Sequence, residues 1–320
     1  MPIIDNSTYK NPPRHLFNGH LETIIPSIFR KIEGVIYSRE RIDTPDGDFL
    51  DLDWSKVGSE KLLVISHGLE GSSERHYVKA LVKLFNQNGF DALAWNNRTC
   101  SGEMNLKPIM YHHGASYDLD TVVKHAESLG TYKELSLVGI SMGGAQTLKY
   151  LGEKGVDLSS NVKKAAVYST PCNLTDSAAT LSFKGNSFYN KRFLKKLKFK
   201  MRLKGQQFPE LVDLELLSRV KDFNTFDTYF TAKIHGFKDS VDFYQSVSAD
   251  NWMHDIQVPT LIINALNDPL LYDRCYPVEL AKKSKHIYLE IPSRGGHTGF
   301  LLKGQVFTWA EMRFLEFLKD

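Results

Sequence analysis

The sequence predicts an α/β fold: a mostly parallel sheet with helices on both faces, an antiparallel hairpin at its N-terminal side and a helical insertion late in the chain. Three observations carry this reading. Short apolar runs of strand length alternate with helix-length amphipathic segments, the pattern that parallel strands joined by crossover helices produce. A turn-forming Pro45-Asp46-Gly47-Asp48 separates two strand-like stretches near the start. A long stretch from about Cys172 to Val258 then breaks the alternation and reads mainly as helix.

Taken in order, the residues up to about Arg30 read as irregular chain, punctuated by Pro12, Pro13 and Pro26. Val35 to Asp43 and Phe49 to Trp54 form the hairpin. Leu62-Leu63-Val64-Ile65 is the continuous apolar run of a strand buried on both faces. Val78, Leu81, Val82 and Phe85 recur at helical spacing, and Gly89 ends that segment. Strands are expected at Ala92 to Trp95, Leu135 to Gly139, Ala165 to Ser169, Thr260 to Ala265 and His286 to Ile291. Helices are expected near Tyr117 to Leu129, Met142 to Tyr150, Pro277 to Lys283 and Val306 to Leu318. The whole chain, 1–320, reads as one domain, with residues of about 172–258 as a helical cap inserted between core strands at the end of the sheet where chemistry would sit.

A chain of 320 residues, 42% hydrophobic and 24% charged, buries enough surface to need no disulfide or metal. The net charge of +3 is too mild to indicate nucleic acid. The cysteines Cys100, Cys172 and Cys275 lie far apart with no C-x-x-C spacing, so neither a disulfide framework nor a zinc site is expected. No secretory leader and no apolar run long enough to span a bilayer is visible, which makes the cytoplasm the expected location.

Gly139-Ile140-Ser141-Met142-Gly143 matches G-x-S-x-G between an expected strand and an expected helix, the context in which this motif forms a nucleophile elbow of the α/β-hydrolase fold. The serine must project from a strained turn, and glycines on either side remove the Cβ atoms that would clash there. A serine hydroxyl needs a base, and on this fold the acid and then the histidine follow in the chain. Asp268, in Asn267-Asp268-Pro269, and His297, in Gly295-Gly296-His297-Thr298-Gly299, both follow late strands; Asp273 is the reserve acid. Ser141, Asp268 and His297 are thus the expected nucleophile, acid and base. The expected oxyanion-hole donors are the backbone N–H groups of Met142 and of Leu69 in His67-Gly68-Leu69-Glu70-Gly71.

Several segments resemble the YheT-like α/β-hydrolases closely. They are Asn18-Gly19-His20-Leu21-Glu22-Thr23-Ile24, His67 to Ser72, Asn97-Arg98-Thr99-Cys100-Ser101-Gly102-Glu103, Tyr111-His112-His113-Gly114, and the stretch from His235-Gly236-Phe237-Lys238-Asp239 through Asn267-Asp268-Pro269. The resemblance covers almost the whole chain. It implies a carboxylesterase or lipase-like activity on a small acyl ester with no cofactor, and supports the same three site residues. Glu22 stands where that family usually has Gln, and Asn97 and Thr99 flank Arg98 where Phe and Gly are common. Some eukaryotic relatives carry an N-terminal membrane helix, so its absence points to a bacterial-type member.

Other readings compete. A thioesterase or acyltransferase would use the same triad, and a non-catalytic binding module would be signalled by loss of a triad residue. From Lys184 to Lys204 the chain carries nine Lys or Arg and no acid, with Phe193, Leu194, Leu197 and Met201 at helical spacing. Such a helix offers a surface for peripheral contact with an anionic membrane or for steering an acidic substrate; the plainer reading is a solvated face with one stripe packed inward. His112-His113 lacks the spacing of a helical metal site, Cys100 reads as a packed residue, and Glu70 as a solvated loop carboxylate.

Overall fold

The computed structural model describes residues 3–4, 7–10 and 12–319. One sheet contains β1 (Ile3–Ile4), β2 (Ser38–Asp43), β3 (Phe49–Ser55), β4 (Lys61–Ser66), β5 (Asp91–Asn96), β6 (Glu134–Ile140), β7 (Val162–Tyr168), β8 (Thr260–Ile263) and β9 (Ile287–Glu290). Their spatial order is β1-β9-β8-β7-β6-β4-β5-β3-β2. β3 runs antiparallel to β2 and to β5, and the other neighbouring pairs are parallel.

The central strands are apolar throughout because both faces are covered. Leu62 and Val64 pack with Leu119 and Val122 of α3 (Ser116–Ser128) and Leu148 of α4 (Met142–Lys154). Leu63 and Ile65, pointing the other way, pack with Val78, Leu81 and Phe85 of α2 (His76–Asn86) and Phe314 of α12 (Trp309–Lys319). A parallel sheet presents the C-terminal ends of its strands along one edge, and the loops there form the site.

The N-terminal region departs from the expected irregular chain. Gly19–Phe29 is a helix, α1, capped by Asn18, whose side chain accepts from Leu21 N at 2.9 Å. Pro26 lies inside it and cannot bond the carbonyl of Glu22. That carbonyl faces Gly299 instead, where a Cβ would come within 2.2 Å of it. The prolines hid a helix that tertiary contact keeps. β1 was likewise not expected; it adds to the edge of the sheet beside β9. The hairpin strand expected from Val35 begins at Ser38, and the final helix expected from Val306 begins at Trp309.

Between β7 and β8 the chain forms α5 (Leu174–Leu181), α6 (Ser187–Gln207), α7 (Leu216–Arg219), α8 (Phe223–Phe226), α9 (Ala232–His235) and α10 (Ser240–Val247), with a π-helical turn at Asp227–Thr231. Leu194, Leu197, Met201, Phe223, Phe226 and Phe230 give this segment an apolar cluster of its own, joined by Met110 from the core loops. α11 (Val278–Lys283) precedes β9. No helix of the described residues is long and apolar enough to cross a membrane.

Candidate active site

Ser141 sits between β6 and α4 with φ 55° and ψ −120°, a conformation costing an L-residue about 1–3 kcal/mol. The flanking glycines are what packing demands there. A Cβ on Gly139 would lie 2.4 Å from Gly143 O, and one on Gly143 would lie 2.2 Å from Ser66 O on β4. The turn therefore presses β6, α4 and β4 together and leaves the hydroxyl projecting. The α4 N-terminus points its free N–H groups at the same place.

The structure brings the three expected side chains into one line. His297 Nε2 lies 2.9 Å from Ser141 Oγ, and His297 Nδ1 lies 2.8 Å from Asp268 Oδ2. Asp268 is buried, and its other oxygen accepts from Leu270 N at 2.8 Å. The reserve, Asp273, is exposed on a turn beyond.

Helix α1 holds the loops that carry this line, and sequence reasoning gave it no such part. Thr23 Oγ1 accepts from His297 N at 2.8 Å and donates to Gly19 O at 2.6 Å. Glu22, fully buried, accepts from Asn267 Nδ2 at 2.7 Å and from Gly295 N at 3.1 Å, and pairs with Arg294 at 2.8 Å. Asn267 Oδ1 in turn accepts from Gly296 N at 3.0 Å. Both residues fall inside a segment singled out by resemblance, but no local spacing ties residue 22 to residue 295.

The loop after β4 lies against the serine: a Cβ on Gly68 would stand 3.2 Å from Ser141 Cβ. His67 shapes this loop. Its Nδ1 donates to Gly68 O at 2.8 Å and its Nε2 accepts from Asn97 N at 3.1 Å. Burial pushes the ring down to about 4, so it stays neutral in this tautomer. Asn97 is held further by Gln146 of α4, whose Nε2 donates to it at 2.8 Å. Tyr77 OH accepts from Gly68 N at 3.1 Å, and Gly71 N closes the turn on Gly68 O at 2.9 Å. Among the described residues, neither Met142 N nor Leu69 N donates to a protein acceptor.

Two cavities meet at Ser141 and His297. One is a cleft lined on its far side by Phe188, Tyr189, Arg192, Phe193 and Lys196 of α6. The other runs under the helical segment and is mostly apolar, with Leu174, Ala178, Leu181, Phe223 and Leu270 in its wall and His113, Ser177, Asp227 and Tyr244 as its polar members besides Ser141 and His297. The basic helix is not a uniformly solvated face. Lys200 pairs with Glu70 at 2.9 Å, and Lys204 donates to the carbonyls of Asn105 and Lys107 at 2.7 and 2.6 Å. These cations fasten α6 to the core loops. Glu70 is correspondingly not the solvated carboxylate expected; its side chain is 4% exposed and accepts from Tyr111 OH at 2.5 Å. Cys100, Cys172 and Cys275 are buried free thiols, and Arg98 is buried between Asp46, Asp48 and Asp118.

A family model for the α/β hydrolase fold matches residues 61–304. YheT of Escherichia coli (strain K12), an esterase by name, is 31% identical over 317 residues, covering 96% of this chain and 92% of YheT. The human phospholipase ABHD3 is 27% identical over 94% of this chain and 75% of its own. Among solved structures, the Pyrococcus furiosus esterase Pf2001 superposes with a TM-score of 0.59 at 19% identity, covering 91% of this chain and 97% of that one, a likeness of fold.

Proposed function

The chain belongs to the YheT-like family of α/β hydrolases, and on that premise we propose that it hydrolyses carboxylic esters through an acyl intermediate on Ser141. The observation that carries this reading is the unbroken line from Ser141 Oγ through His297 to Asp268, at 2.9 and 2.8 Å.

In the first half-reaction Ser141 Oγ attacks the ester carbonyl carbon while His297 Nε2 takes the hydroxyl proton. The carbonyl oxygen becomes an anion within reach of the Met142 and Leu69 N–H groups, which have no competing protein acceptor among the described residues. Collapse of this tetrahedral species breaks the bond to the alcohol oxygen, which leaves with the proton from His297. Water then adds to the acyl group by the same route in reverse, releasing the acid and restoring Ser141. Asp268 holds the imidazole tautomer and stabilises its charged form. Residues of about 172–258 act as a cap, since α6 walls both cavities at the serine and α5 walls the apolar one.

The test is a panel of para-nitrophenyl esters of increasing acyl length, with wild type and Ser141→Ala. We expect turnover in the wild type and a loss of about 10⁴-fold or more in the variant. Equal activity in the two proteins would sink the triad reading. Thioesters in the same panel distinguish the alternative acyl donor.

A further inference from the structure

The cleft at Ser141 carries more positive charge than its own fold neutralises. Arg75, at the start of α2, and Arg192 and Lys196, on α6, line it beside Ser141 and His297. Among the described residues none of the three pairs with a carboxylate. Arg75 reaches Ser27 Oγ at 3.4 Å and Lys196 donates to the backbone oxygen of Glu70 at 3.2 Å. The lining carboxylate, Glu70, is already engaged: Lys200 sits 2.9 Å from it. The Lys196 ammonium is held below its ordinary value by desolvation first; Glu70 opposes this, while Arg75, Lys200 and Arg192 each add to it. Like charges crowded at the wall of a cleft raise the free energy of the empty site, and an anion entering it relieves that.

The two cavities differ in character, and the chemistry assigns them. An acyl chain is apolar, so it belongs in the mostly apolar cavity walled by Leu174, Leu181, Phe223 and Leu270. The alcohol portion then takes the other cavity, where Arg75, Arg192 and Lys196 stand. We propose, resting on the esterase reading above, that the substrate is an ester with an apolar acyl chain whose alcohol portion bears an oxyanion, a phosphate, sulfonate or carboxylate, held by Arg75, Arg192 and Lys196. Arg75 comes from the core and the other two from the helical segment, so the anion also bridges the two parts across the cleft.

The test compares para-sulfophenyl hexanoate with para-carbamoylphenyl hexanoate, esters of one acyl chain whose leaving groups differ by a charge. The readout is the ratio of their kcat/KM values within each protein, which cancels any general loss of activity or folding. At low salt the wild type is expected to favour the sulfonate by about tenfold, equivalent to about 1.4 kcal/mol, with the preference shrinking at high salt. In Arg192→Gln/Lys196→Gln, and separately in Arg75→Gln, the ratio should fall toward one. A wild-type ratio near one, or a ratio that survives these substitutions, overturns the proposal. If neither ester is turned over, the esterase reading fails by itself, and the anion site is then judged by calorimetric binding of the two esters to the wild type. Tighter binding of the sulfonate, lost in the double variant, supports the site; equal binding overturns it. Capture by phosphatidylglycerol vesicles with no preference between the soluble esters also overturns it, because it places these cations at a membrane surface.

Discussion

Glu22 and Asn267 meet at 2.7 Å across 245 positions of sequence, and this contact ties helix α1 to the loop that carries Asp268. The same carboxylate accepts from Gly295 N, on the loop that carries His297. One buried side chain thus fixes the spacing of the loops that carry Asp268 and His297. Glu22→Ala removes the one oxygen that accepts both bonds and leaves two donors unpaired, which costs about 1–3 kcal/mol per group. We expect lower stability and a fall in kcat of about tenfold or more, with KM little changed. Glu22→Gln keeps an acceptor oxygen, and should stay within a few-fold of wild type on the ester panel. A Gln variant as impaired as the Ala variant would show that the charge, through its pair with Arg294, is what matters.

Gly143 leaves no room for a side chain. Its Cβ would lie 2.2 Å from Ser66 O and 2.7 Å from His67 O, backbone atoms of β4 and the loop after it. A backbone cannot rotate away as a flexible side chain can, so relief requires β4 and α4 to part. Gly143→Ala is expected to lose about 3 kcal/mol in urea unfolding and most of its activity. Wild-type stability in this variant would mean that the turn is looser than the packing indicates.

Asp227 begins the π-helical turn, in the wall of the mostly apolar cavity. The hydroxyls of Thr231 and Tyr244 donate to it at 2.6 and 2.7 Å, yet burial pushes its carboxyl up from 3.8 to about 6. A raised folded value favours the neutral form. The stability this group contributes is full below 3.8 and is lost as pH rises through about 6. Asp227→Asn removes that dependence. Between pH of about 4 and about 7, its stability relative to wild type should improve by about 2–3 kcal/mol, measured by denaturant unfolding at each pH. A difference that does not move with pH would show that Asp227 is ionised in the native state without cost.

The turn at Ser141 was legible in the sequence because it is locally encoded. A strained elbow needs glycine at Gly139 and Gly143, and those glycines mark Ser141 whatever the remainder of the chain does. Leu62 to Ile65 announced a central strand because burial on both faces leaves no polar position. Asn97 and the His67 ring, by contrast, matter through one contact at 3.1 Å that joins two loops. Both residues lie in segments singled out in the sequence, but no spacing reveals that they meet. Helix α1 was hidden for a different reason: Pro26 weakens its local signal, and the packing of Thr23 and Glu22 on the His297 loop supplies what propensity does not.

By itself, then, the sequence determined the order of the core strands and helices from the hairpin onward, the strained turn at Ser141 and the three polar residues that follow the fold's chain order. All of these depend on short-range sterics and on periodicity. The tertiary structure alone decided what holds Asp268 and His297 in line with Ser141, which lysines of the basic helix are consumed inside the molecule, and which cations face the serine without a carboxylate partner. Those outcomes depend on distances between residues far apart in the chain, and such distances exist only once the two faces of the sheet are covered and the helical segment has settled on its edge.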